Sequence, residues 1–152
     1  NMSLVTVSGP GMIGIPGVAG RTFTAVARTD TNILMISQAS SEQSICFVVP
    51  TTDSAKVVKA LEDELELEIA RRDLERVKTE DNTVILAVVG SGMQGTPGVS
   101  ARLFGALGQE KINIIAIAQG SSEFNISVVI AQGDADNAVR AIHKEFHLEK
   151  PY

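Results

Sequence analysis

The chain has 152 residues, a formal net charge of −5 with acids and bases intermixed, five Phe, one Tyr, no Trp and a single cysteine, Cys46. The charge argues against a surface built to track phosphate backbones, which needs clustered Lys and Arg, and the scarcity of aromatics argues against base-stacking platforms. One cysteine makes no internal disulfide, no signal segment opens the sequence, and no apolar run reaches the roughly 20 residues of a membrane span, so a reducing, cytoplasmic setting is expected.

Residues 4–7 alternate apolar and small polar side chains and predict a strand. The glycine-rich stretch Val7-Ser8-Gly9-Pro10-Gly11-Met12-Ile13-Gly14-Ile15-Pro16-Gly17-Val18 follows, with Pro16-Gly17 expected to open a helix. Val18, Thr22, Phe23 and Val26 share one face of that helix. Residues 32–38 predict a second strand, Ala39-Ser40-Ser41-Glu42 a polar turn, and residues 44–49 a third strand paired back in a hairpin. Cys46 falls within this third run and reads as a small core residue, not a nucleophile. Pro50-Thr51-Thr52-Asp53 stops the strand and supplies an N-cap for a second helix with the stripe Val57, Val58, Leu61, Leu65. Leu65, Leu67 and Ile69 alternate with charges, as a fourth, edge-like strand would, and the charge-dense residues 70–82 read as a connector.

The sequence then repeats itself. Val88-Val89-Gly90-Ser91-Gly92-Met93-Gln94-Gly95-Thr96-Pro97-Gly98-Val99 restates the glycine stretch 81 residues on, and 19 of 41 positions are identical between 9–49 and 90–130 without a gap. A repeat of that length is a whole small fold used twice. Two domains, 1–81 and 82–152, are expected, each a β-α-β-β-α-β ferredoxin-like unit: an α+β fold with an antiparallel sheet and helices on one face. The second unit lacks a clear fourth strand, and the chain reads as a piece of a longer protein.

Gly9-x-Gly11-x-x-Gly14 and Gly90-x-Gly92-x-x-Gly95 both match the dinucleotide fingerprint. The context argues against it. The second strand ends in Gln38 or Gln119 where a ribose-binding acid is needed, and the next strand follows by a short turn where a parallel sheet needs a long crossover. Glycines still let backbone approach a ligand, and amides at a helix start favour a carboxylate; a turn that merely needs positive φ angles is the lesser alternative, because both copies keep three glycines, Met and Pro-Gly. Asn32/Asn113 and Gln38/Gln119, twice at one spacing beside a glycine loop, suit an amino acid held by its amine and side chain, although each alone reads as a turn or edge residue. Arg21 and Arg102 read as surface or interface charges, and His143 and His147, four apart with no companions, as surface residues. No catalytic constellation is present in the sequence, which does not read as an enzyme.

The glycine stretches, Ile36-Ser37-Gln38-Ala39-Ser40-Ser41-Glu42, Ile45-Cys46-Phe47-Val48-Val49-Pro50 and Asn113-Ile114-Ile115-Ala116-Ile117-Ala118-Gln119-Gly120-Ser121-Ser122-Glu123 resemble the tandem ACT domains of aspartate kinases, most nearly the threonine-sensitive type, including those fused to homoserine dehydrogenase. The resemblance implies a regulatory module of a kinase that phosphorylates the aspartate side chain. ATP and magnesium would belong to the kinase domain, with no cofactor in this piece. It implies side-by-side ACT pairing in a homodimer and an end-product amino acid at the interface. The implied contacts are Met12, Gly14, Ile15, Gly17, Asn32, Ile33 and Gln38, and in the second copy Met93, Gly95, Thr96, Gly98, Asn113, Ile114 and Gln119. The paired Gln turns point to threonine, with lysine second. Ile15 against Thr96, and Ser44 against Asn125, leave room for unequal sites. The rival classes are a structural dimerisation module, a nucleic-acid-binding ferredoxin-like domain and a dehydrogenase-type nucleotide site.

Overall fold

The chain divides into two units, Asn1–Asn82 and Thr83–Tyr152; the computed structural model describes residues 1–41 and 43–148. Each unit is an antiparallel sheet with helices packed on one face, so the α+β ferredoxin-like reading holds. In the first, β1 (Met2–Ser8) pairs with β3 (Ser44–Pro50), which pairs with β2 (Met35–Gln38) through the predicted hairpin. The register sets Val5 opposite Phe47 and Val7 opposite Ile45. Because side chains alternate along a strand, this row faces the helices, while Leu4 and Cys46 take the other side. Val18 and Val26 of α1 (Val18–Ala27) and Val57 and Leu61 of α2 (Thr51–Glu64) close over it at helical spacing. Phe23 meets Phe47 edge to face, 5.9 Å between centroids.

The second unit repeats the plan. Residues 83–89 of β4 (Lys78–Val89) pair with β6 (Asn125–Ala131), and β6 with β5 (Ala116–Gln119). Leu103 and Leu107 of α4 (Val99–Gln109) and Ala138 and Ile142 of α5 (Ala135–Glu145) pack on Ile126, Val128 and Ile130. No helix among the described residues is long and apolar enough to cross a membrane.

Several sequence expectations are corrected. Leu65, Leu67 and Ile69 form no strand: Leu65 ends α2, and α3 (Glu66–Ala70) follows. Leu65 and Ile69 are also four apart, so a helical turn sends both inward while Leu67 stays 67% exposed. The connector is not merely solvated, because Leu74 is buried in the first core and the Glu75 amide donates to the Ser8 carbonyl at 2.8 Å. Pro16 and Gly17 precede α1; the glycine is the N-cap at φ +95°. No side chain caps α2, whose N-cap is Pro50, and Asp53 instead pairs with Lys56 in the first turn. β2 starts at Met35, not residue 32. Cys46 is half-buried on the face away from the helix-packed core, its Sγ 3.5 Å from the Ser37 carbonyl. Burial pushes its thiol above the ordinary cysteine range, which keeps it a poor nucleophile. Glu42 of the predicted turn and residues 149–152 lie outside the described residues.

Arg21 and Arg102 are helix clamps. Arg21 on α1 bonds the Glu64 carboxylate at 3.0 Å, the Glu64 carbonyl and the Glu68 carboxylate. Arg102 on α4 bonds the Glu145 carboxylate at 2.8 Å and the Glu145 carbonyl, and lies 4.4 Å from the centre of the Phe146 ring. Both arginines hold the last turn of the second helix, whose carbonyls have no helical partner.

Candidate functional site

Each glycine stretch leaves its strand in the same way. The Gly9 amide bonds the Gln43 carbonyl and the Gly90 amide the Phe124 carbonyl, both at 3.0 Å, before a single 3-10 turn, Pro10–Met12 or Ser91–Met93. The chain then reaches a helix whose N-cap glycine, Gly17 or Gly98, has φ near +90° and no side-chain cap. A residue with a Cβ is strained there, although the space beside both glycines is open. Neither helix start has a side-chain cap for its first-turn amides.

A cavity opens beside each stretch. The first, about 360 Å³, is lined by Met12, Gly14, Ile15, Gly17, Gln38 and Ile45, with Pro16, Val18 and Ala19. The second, about 510 Å³, is lined by Met93, Gly95, Thr96, Gly98, Gln119 and Glu123, with Pro97, Val99, Ser100, Ala101 and Ile126. Ten of the fourteen expected contacts therefore gather at two equivalent places. Asn32, Ile33, Asn113 and Ile114 do not. The two asparagines are exposed before the strands begin, and Ile33 and Ile114 pack on the cores. Asn32 and Asn113 precede β2 and β5 and line neither cavity.

Reading the sequence missed Glu123, taken for a turn residue. Its carboxylate accepts a hydrogen bond from the Gly95 amide at 2.8 Å, and among the described residues it is the one ionisable side chain lining the second cavity. The signal available was its place in the repeated Ser-Ser-Glu. Ile45 and Ile126, the cavity floors, were visible only as core residues. The glycine stretches differ in their cover. The Asp73 carbonyl accepts from the Gly11 amide at 2.8 Å and lies 2.4 Å from where a Gly9 Cβ would stand, whereas nothing described lies within 4 Å of a Cβ at Gly92.

The geometry rules out the dinucleotide reading, since β2 and β3 form an antiparallel hairpin. It suits a small zwitterion: helix amides for a carboxylate, a carboxamide for a polar side chain, and an apolar floor. His143 and His147 are exposed, and no group of three or more metal-ligating side chains occurs among the described residues.

Comparison with known proteins gives one consistent answer. The ACT domain family matches residues 5–65 and 86–146. A bifunctional aspartokinase/homoserine dehydrogenase of Arabidopsis thaliana is 47% identical over 150 residues, covering 99% of this chain and 16% of that protein. That of Haemophilus influenzae is 42% identical over 150 residues, with coverages of 99% and 18%. The chain thus spans less than a fifth of the length of these relatives. Among solved structures, the regulatory subunit of aspartate kinase from Thermus flavus superposes with a TM-score of 0.80 at 28% identity, over 96% of this chain and 93% of that one. Aspartate kinase from Synechocystis gives 0.82 at 31% identity, over 99% of this chain and 26% of that one. The chain belongs to the ACT domain family, as a tandem pair similar to the regulatory region of aspartokinases.

Proposed function

We propose that this chain is the feedback sensor of an aspartate kinase, binding an end-product amino acid, threonine, in one or both cavities. The observation that carries the reading is the twofold convergence of an uncapped helix start, a glycine stretch and a strand-end glutamine on one cavity. The first-turn amides of α1 or α4, at the positive end of the helix, take the ligand's carboxylate. The carboxamide of Gln38 or Gln119 donates to and accepts from a hydroxyl, which a thioether or an alkyl side chain leaves unsatisfied. Met12 or Met93 and Ile45 or Ile126 bury the remaining methyl. Inhibition follows if the effector binds more tightly to the arrangement in which the parent kinase is inactive, because a ligand shifts an equilibrium only by its differential affinity for the two states. ATP, magnesium and aspartate are handled by the parent's kinase domain. The module acts as an ACT-paired homodimer in a reducing compartment, the cytoplasm or, as the names of the plant relatives indicate, the chloroplast.

Lysine is the second reading, supported by the likeness to an E. coli aspartokinase III whose structure holds lysine and aspartate, at 25% identity. Thermal unfolding of the chain with threonine, lysine, methionine or isoleucine separates the readings. A ligand at 100 times its dissociation constant adds about 2.7 kcal/mol. Threonine alone is expected to raise the melting temperature, and Gln38→Ala and Gln119→Ala show which cavity responds. A response to lysine alone moves the assignment to lysine; none to any amino acid from a folded dimer leaves a purely structural module.

A further inference from the structure

The second cavity is polar in a directed way. Its glycine-98 end is the opening of α4, which has no side-chain cap and no acidic residue in its first turn. The strand-turn end presents Gln119 and the carboxylate of Glu123. That carboxylate accepts one hydrogen bond, and the backbone that carries it is fixed by another. Its oxygen sits 2.8 Å from the Gly95 amide, and its own amide donates to the Gly120 carbonyl at 3.1 Å, with the residue at φ +59°. A glutamate adopts this left-handed conformation rarely, and the turn imposes it here. Among the lining residues no Lys, Arg or His offsets the negative charge.

We propose that Glu123 is a specificity-determining residue of this site, pairing with the ammonium of an amino acid whose side chain is neutral and excluding one that carries a second carboxylate, above all aspartate. The proposal rests on the effector reading above. A sensor attached to an aspartate-consuming kinase operates in the presence of that substrate, and an end-product signal is useful only if aspartate does not mimic it. Threonine and aspartate share the same α-carbon groups and are close in size, so shape separates them poorly. Charge separates them well. With the α-carboxylate on the α4 amides and the ammonium toward Glu123, the side chain is directed to the Gln119 end. A carboxylate there shares the cavity with the Glu123 carboxylate, and no Lys, Arg or His among the described lining residues offsets the two. Like charges so placed suppress the wrong partner, here by at least about tenfold. The Gly95 amide, already bonded to Glu123, is closed to a ligand anion that would otherwise relieve the repulsion.

The test is two-dimensional amide NMR of the whole 152-residue chain, following the Gly95 and Gly98 signals during titration with threonine and with aspartate, for the native sequence and for Glu123→Gln. The glutamine oxygen can still accept from the Gly95 amide, so the turn is retained while the charge is lost. Native protein is expected to bind threonine at least about tenfold more tightly than aspartate. Glu123→Gln is expected to shrink that ratio about tenfold, because both amino acids lose the ammonium pairing while aspartate alone is relieved of the repulsion. An unchanged ratio in Glu123→Gln, with threonine binding intact in the native chain, overturns the role of Glu123 and leaves the effector reading standing. If neither amino acid moves the two signals in the native chain, the effector reading of this cavity falls, and the proposal with it.

Discussion

The two glycine stretches are spelled almost alike, yet they meet different surroundings. Over the first lies residue 73: Gly11 donates to its carbonyl, and a Cβ at Gly11 would sit 2.5 Å from the Asp73 side chain. Next to it Leu74 enters the core together with Met12, which is only 4% exposed. Over the second stretch nothing described stands within 4 Å of a Cβ at Gly92, and Met93 is half-buried. One motif is thus glycine for two reasons, close backbone packing in the first copy and something other than packing in the second. The cover also accompanies the smaller cavity, about 360 Å³ against 510 Å³. Repeated sequence does not guarantee repeated constraint, since the covering residues lie outside the repeated stretch.

The strongest way to break this comparison is an alanine in each copy. Neither Gly11 nor Gly92 has a positive φ, so only crowding distinguishes them. Gly11→Ala drives a methyl into the backbone and side chain of residue 73 and is expected to cost about 1–3 kcal/mol, the usual penalty of overpacking. Gly92→Ala is expected to leave stability within about 0.5 kcal/mol of the native chain, as for a surface position, or to raise it slightly by restricting the unfolded state. Urea unfolding midpoints of the two variants decide it. Equal costs would mean that both stretches are equally covered in solution.

A smaller difference sharpens the comparison at the helix faces. Thr22 of α1 is fully buried, and its hydroxyl has no hydrogen-bond partner among the described residues; the same position in α4 is Leu103, also fully buried. A buried hydroxyl without a partner costs its desolvation, and valine is close to threonine in shape. Thr22→Val is therefore expected to stabilise the chain by about 1 kcal/mol, seen as a higher melting temperature. A loss of stability would show that the hydroxyl is satisfied by water that enters the first unit.

These differences explain how much the sequence disclosed. The strand and helix periods, the hairpins and the doubled unit were legible because each rests on local alternation or on repetition. Ten cavity residues were legible because glycine stretch and glutamine recur at fixed spacing. Asn32 and Asn113 recur as faithfully yet line neither cavity, since recurrence reports shared structure as readily as a shared site. Leu65 and Ile69 are separated by four, which serves a helix, while Leu67 between them completes a strand-like alternation; only the packing around Leu65 decides. The cover at Asp73 and Leu74 was hidden inside a charge-dense stretch, because one buried leucine among charges leaves no periodic trace.

The arginine clamps give the smallest expected effect. Both arginines reach the same carbonyl position, at Glu64 and Glu145, but the first copy adds a second carboxylate, Glu68, and the second adds the Phe146 ring. Hydrogen bonding to Arg21 holds the Glu64 and Glu68 carboxyls below the ordinary glutamate range, against a burial effect that works the other way. A carboxyl depressed on folding stabilises the native state above its unfolded pKa, and that contribution disappears as pH falls through the lowered folded value. Acid should thus weaken the first clamp in the region below the ordinary carboxylate range, and Arg21→Gln should flatten that part of the stability curve while changing little near neutrality. Salt should shrink the difference, because Arg21 is 42% exposed and the pair is screened. Arg102→Gln removes an aromatic contact as well as charge, so part of its effect should survive high salt. Melting curves between neutral and acid pH, at low and high ionic strength, measure both. If Arg21→Gln keeps the acid-side slope of the native chain, the doubled carboxylate is not what the first copy gains from its clamp.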